Sequence, residues 1–197
     1  MNSLSKLKIA FVTLSLVLIV GVFMLLSSSP QRSKSVTANL TSGVNVGTHA
    51  DSGTFLTLSG KDANVANYFK KGPTLIWFIV TGCASCSVSL PIASQYLNTF
   101  ESRHVHVLVL DLYGDLSYSK QGEIQLGEFG SQVSSKVTSK AWTWGLASES
   151  LSYAYDPTSI PDQYFLVEKG GDIYYQNNDL ASSIQSLLQK ISALKDA

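Results

Sequence analysis

The sequence predicts an α/β domain: a central mixed sheet with helices on both faces. Three observations carry this. Two apolar runs, residues 75–80 without a break and residues 105–110 with only His106 interrupting, read as strands buried on both sides. Interleaved with them are stretches whose apolar residues recur every three or four positions, the helical period. Near the C-terminus, two short strand-like runs flank Gly170-Gly171, a hairpin pattern that adds an antiparallel edge.

Taken in order, residues 55–58 form a short strand, 63–69 a short helix and 74–80 a buried strand. Val88, Ile92, Tyr96 and Phe100 recur every four residues and place one apolar stripe on the next helix. Residues 105–110 form another buried strand, and Leu126, Phe129, Val133 and Val137 mark a further helix. Residues 164–167 and 172–175 make the hairpin. Leu180, Ile184, Leu187, Leu188, Ile191 and Leu194 make a closing amphipathic helix.

A chain of 197 residues suits one such domain plus an appendage. The formal net charge is zero, which argues against nucleic acid or a strongly acidic partner. Charged residues make up 14%, against roughly 25% in ordinary soluble domains, a balance that fits a protein outside the cytoplasm.

The appendage is N-terminal. Residues 9–26 are uncharged and apolar, interrupted only by Thr13, Ser15 and Gly21. As a helix they would span about 27 Å, close to the roughly 30 Å hydrocarbon core. The stretch is longer than the apolar core of a cleaved signal peptide, and Ser27-Ser28-Ser29-Pro30 is a poor cleavage site. The expectation is a transmembrane anchor at 9–26, a tail at 1–8, a flexible tether at 27–52 and a folded domain at 53–197. Secretion after cleavage is the alternative. Lys6 and Lys8 before the span nearly balance Arg32 and Lys34 after it. The short tail and C-terminal bulk follow the signal-anchor layout, which puts the domain on the outer side of the cell membrane, where a disulfide can persist.

Cys83-Ala84-Ser85-Cys86 holds the only two cysteines. Two thiols at this spacing, where a strand turns into a helix, can close and reopen a disulfide. The first sits at the helix N-terminus, where backbone N–H groups and the helix dipole favour a thiolate. A static disulfide around so small a loop adds little stability. One cysteine pair does not complete a four-ligand zinc site, and His104 and His106 fall on another strand. Neither metal nor cofactor is expected. The two histidines alternate with apolar residues and share a strand face, with no catalytic role. Trp142 and Trp144 are expected in the core, a partner-binding surface being the alternative, and Glu123 and Glu128 on a helix surface.

Three ordered pieces resemble the thioredoxin-like superfamily, and within it the membrane-anchored extracytoplasmic branch of the cytochrome c maturation type. The first is the strand–Cys-x-x-Cys–helix unit with Pro91 five residues past the second cysteine. The second is Tyr155-Asp156-Pro157-Thr158-Ser159-Ile160-Pro161, which resembles the family loop ending in an aliphatic residue and a cis proline. The third is the strand–turn–strand at 165–173. The resemblance implies that Cys83 attacks and Cys86 resolves. It also implies that the segment Ile160-Pro161 presents free backbone groups to the partner's chain.

Three departures stand out. Family members often carry tryptophan before the first cysteine, where this chain has Gly82. Many carry a buried acid six residues before it, where this chain has Trp77. Asp162 replaces the usual threonine after the proline; near the sulfurs it would raise a thiol pKa or carry a proton.

The function these features imply is thiol–disulfide exchange with exported proteins, partnered by protein thiols or disulfides and an unidentified membrane electron donor or acceptor. Relatives span roughly −270 to −120 mV. The uncharged Ala84-Ser85 pair argues against the oxidising end and favours a reductant. A binding or chaperone-like module that does not turn its disulfide over is the alternative. A peroxidase of the superfamily fits less well, because no Pro-x-x-x-Thr pattern precedes the cysteine.

Overall fold

The computed structural model describes residues 44–133 and 142–195. Chain order begins β1 (Thr54–Thr57), β2 (Asp62–Asn64), α1 (Ala66–Phe69) and β3 (Thr74–Ile79). It continues with α2 (Ala84–Ser94), α3 (Leu97–Ser102), β4 (His106–Asp111) and α4 (Lys120–Val133). It ends with β5 (Trp142–Ala147), α5 (Glu149–Tyr155), β6 (Gln163–Val167), β7 (Ile173–Asn178) and α6 (Leu180–Ala193). The strands form one sheet in the order β2-β1-β5-β4-β3-β6-β7. β3, β4 and β5 run parallel, and the flanking strands join antiparallel, which is the expected mixed sheet.

The core has two layers because side chains alternate along each strand. On β3, Leu75, Trp77 and Ile79 point to the side covered by α2, α3, α4 and α6. Ile76 and Phe78 point to the side covered by α1 and α5. Every residue of β3 is buried, which accounts for its unbroken apolar run. Phe165 continues the second layer, edge-on to Phe78 and Tyr155 at centroid distances of 6.3 and 5.1 Å. Where β1 crosses β5, a Cβ on Gly145 would lie 2.5 Å from the Phe55 ring, so only glycine admits this close pairing.

The structure corrects several expectations. The four-residue stripe is broken, because α2 ends at Ser94 and α3 starts at Leu97. α2 instead buries Cys86, Ser89, Leu90, Ala93 and Ser94, while Val88 is 56% exposed. Small and polar residues on the buried face masked the true period. Ala63 and Asn64, expected in a helix, belong to β2 and pair with β1. Trp142 and Trp144 form the unforeseen strand β5 and are buried, as core residues should be.

Residues 44–50, assigned to the tether, dock on the domain. Val44 and Ala50 are buried, and the amides of Gly47 and Ala50 donate to the carbonyls of Ile173 and Gly171 at 2.8 and 2.7 Å. Glu123 is buried rather than exposed and accepts from Lys120 at 2.8 Å. His104 sits in a turn at φ 52°, off the strand that His106 opens. Residues 9–26 and Val137 lie outside the described residues. Among the described residues no helix is long and apolar enough to cross a membrane.

The layering makes a direct expectation. In urea denaturation of the full chain, Phe165→Ala should cost about 3–5 kcal/mol, the range for emptying a buried aromatic site. Val88→Ala should stay within about 0.5 kcal/mol, as for a surface position. The reverse ranking would restore the four-residue stripe.

Candidate active site

The apolar run of β3 ends at Ile79, and the chain then turns through Thr81-Gly82 into α2. Cys83 is the N-cap of α2, with extended backbone (φ −82°, ψ 121°). Its sulfur takes the place of the usual Ser or Asp oxygen and accepts the Cys86 amide at 3.1 Å. Both thiols are free; Cys83 is half-buried and Cys86, three residues on, is buried. Burial pushes the Cys86 thiol well above its ordinary pKa, helped by its contact with Cys83 and by the negative charge of Asp162.

Asp162 is the centre of this site. It is 1% exposed, and its carboxylate accepts from Trp77 Nε1 and from Ser89 Oγ, each at 2.8 Å. Ser85 and the Leu180 amide, the first N–H of α6, also donate to it. The same Ser85 hydroxyl lies 3.1 Å from Cys83 Sγ, so it touches both the exposed sulfur and the buried carboxylate. Burial raises the Asp162 pKa, and the donors Ser89, Trp77, Ser85 and Leu180 oppose that rise.

Two of the three departures from the pattern, Trp77 and Asp162, are therefore one feature. Trp77 occupies the place of the family's buried acid on β3, and its indole reaches across to the acid that β6 brings in. Asp162 adopts φ 67°, a left-handed conformation that Asp and Asn tolerate, and its amide donates to the Phe78 carbonyl at 2.9 Å. This pairing sets the 160–162 segment beside the end of β3 from which the cysteines follow.

The remaining expected residues fall as follows. Ile160 is 44% exposed and Pro161 half-buried, both directly before Asp162. The expected cis bond at Pro161 is not found, since no described peptide bond is cis. Phe78 faces the opposite layer from the cysteines. His106 pairs with Thr74 at the far end of β3, and burial, Lys71 and His104 lower its pKa. Ser89 was missed; a serine three residues after Cys86, on the helix face that also carries Leu90 and Ala93, was its sequence signal.

No protein-family model and no curated sequence matches the chain. Among solved structures it is similar to a protein from Bacteroides thetaiotaomicron assigned as a protein disulfide isomerase. That match has 15% identity and TM-score 0.61, over 79% of this chain and 92% of that one. It is also similar to the thioredoxin domain of a thiol-disulfide oxidoreductase from Bacteroides vulgatus, with 17% identity and TM-score 0.54 over 74% and 99%. A third is a reduced 2-Cys peroxiredoxin from Plasmodium vivax, with 18% identity and TM-score 0.54 over 76% and 81%. The likeness is one of fold: the described residues adopt a thioredoxin-like fold.

Asp162→Asn keeps the left-handed backbone and removes the charge, so it should lower the Cys86 pKa, read from the pH dependence of Cys86 alkylation in a Cys83→Ser background. Stability should respond as well. Folding raises the Asp162 pKa, so its contribution is complete below the unfolded value near 3.9 and is lost as pH rises through the folded value. Melting temperature measured against pH should lose that decline in the Asn variant; an unchanged slope would separate Asp162 from the titration.

Proposed function

We propose that the chain is a membrane-anchored thiol–disulfide oxidoreductase whose domain works outside the cytoplasm. Cys83 and Cys86 exchange disulfides with protein substrates, chiefly in the reducing direction. The observation that supports this best is a half-buried N-capping sulfur, a buried sulfur one turn on, and a buried carboxylate coupled to both.

Cys83, as thiolate, attacks one sulfur of the substrate disulfide; that bond breaks and the second substrate sulfur leaves. Cys86 gives up its proton, and its sulfur attacks Cys83 Sγ, breaking the mixed disulfide and releasing the first substrate sulfur. The substrate gains two electrons and, with one proton from Cys86 and one from solvent, becomes a dithiol, while Cys83 and Cys86 become a disulfide. Asp162 takes the Cys86 proton, a role its buried position and raised pKa suit. Ser85 links the carboxylate to the attacking sulfur and passes that proton toward the leaving substrate thiolate. Ile160 and Pro161 carry the substrate backbone at the exposed rim.

Residues 9–26 anchor the domain and bring it to a membrane electron donor that restores the dithiol. A peroxidase reading loses ground on Arg103, the sole arginine among the described residues. Its guanidinium donates to the Leu194 carbonyl at 2.7 Å, at the C-terminal end of α6.

The test is a redox titration of the full chain with alkylation trapping. One reversible two-electron transition is expected, nearer roughly −270 than −120 mV. Cys86→Ser should accumulate the mixed disulfide, and Asp162→Asn should slow its resolution about 10²-fold, the lower range for a lost general base. A pair that never oxidises would make the domain a binding module. Alkaline carbonate extraction checks the anchor: release of the intact chain would indicate secretion instead.

A further inference from the structure

A second carboxyl group lies buried beside the turn that presents Cys83. Asp111 ends β4 and is 1% exposed. Its register neighbours on β3 and β5 are Ile79 and Leu146, both apolar. One carboxyl oxygen accepts from the Leu116 amide at 3.2 Å; the other, Oδ1, is buried without a donor among the described residues. Its partner across the loop is Asp115, itself a carboxylate, which accepts from the Thr81 amide at 2.7 Å and the Thr81 hydroxyl at 2.9 Å.

Two carboxylates cannot hydrogen-bond unless one carries a proton. Asp115 accepts from two donors and lies in the more open loop, so the proton belongs on Asp111. Burial, then Asp115, pushes the Asp111 carboxyl up to about 8. The protonated acid donates to Asp115 and so fixes the carboxylate whose Oδ2 grips Thr81, two residues before Cys83. Within the turn the Cys83 amide also donates to the Val80 carbonyl at 3.0 Å, and a Cβ on Gly82 would meet nothing within 4 Å, so Asp115 is the side chain that ties Thr81 to the β4 loop.

We infer that Asp111 is a positioning residue whose proton clamps Asp115 onto Thr81 and so holds the turn that presents Cys83. This rests on the exchange chemistry proposed above. Loss of the proton sets two negative charges against each other and frees the turn. Other titratable groups on the elements nearest Asp111 are Cys83 and Cys86 on α2 and Lys120, Glu123 and Glu128 on α4, with Asp162 on the far side of β3. Tyr113 and Tyr118 lie in the loop after β4, and β3 and β5 carry none. Lys120 and Glu123 are paired with each other, and Asp115 is the charge that bears on Asp111.

The experiment is a carboxyl-carbon and amide NMR titration of the full chain in detergent. Asp111 should titrate near pH 8, and the Thr81 amide should move with the same midpoint. Asp111→Asn retains an N–H donor and should hold the Thr81 amide at its low-pH position through pH 9.5; Asp111→Ala should release it at every pH. At pH 9, disulfide reduction by the wild type should trail Asp111→Asn by about threefold to tenfold, the scale of one lost hydrogen bond. Thr81→Val, which keeps the amide bond to Asp115 and loses the hydroxyl bond, should shrink that difference while Asp111 still titrates. Asp111 titrating below pH 6, or a Thr81 amide indifferent to it, would overturn the inference even if the variants fail to fold. A chain that titrates as described but exchanges no disulfide would instead remove the functional reading beneath it.

Discussion

The contact from Trp77 and Ser89 to the Asp162 carboxylate joins the central strand, the cysteine helix and the loop before β6 at a single buried charge. Burying a carboxylate is costly unless donors surround it. Here four do, drawn from β3, from two points on α2 and from the first amide of α6. Each donor fixes the element that carries it, so the same hydrogen bonds that make the charge tolerable also set the cysteine helix against the sheet. Ser89 adds a further tie, accepting from the Ala181 amide at 2.9 Å and so linking α2 to α6.

The two cysteines and the buried acids Asp111 and Asp162 gather at one end of the sheet. β3 and β4 end together at Ile79 and Asp111, and the loops beyond them carry Thr81, Cys83, Asp115 and, from the neighbouring strand, Asp162. At the opposite end, His106 and Thr74 serve only the start of the strands. The two buried acids differ in surroundings. Asp162 is ringed by neutral donors, whereas Asp111 faces another acid. The first arrangement suits a group that exchanges protons with a neighbour; the second suits one that keeps its proton until the pH is alkaline.

Much of this was legible in sequence where a pattern is local. The apolar runs of β3 and β4 and the Gly170-Gly171 hairpin follow from strand burial and turn chemistry, and the structure places them within one residue of expectation, except that β7 runs three residues further. Where small or polar residues face the core, the pattern failed. Ser89, Ser94 and Glu123 are buried through hydrogen bonds or ion pairing, and periodicity cannot see them. Strand β5 was hidden because Trp142, Trp144 and Gly145 read as an irregular aromatic insertion until β4 and β1 flank them.

By itself the sequence determined the α/β class, the position of the cysteine pair at a strand-to-helix turn, and the order of the motifs around it. These depend on neighbours within about ten residues, for which side-chain period and capping chemistry suffice. Only the tertiary structure decided that Trp77 and Asp162 are partners across 85 positions, that Ser85 touches both sulfur and carboxylate, and that Asp115 grips Thr81. Those contacts arise from β6 lying antiparallel against β3, and from β4 ending level with it. Strand register of that kind is set by the packing of the whole sheet.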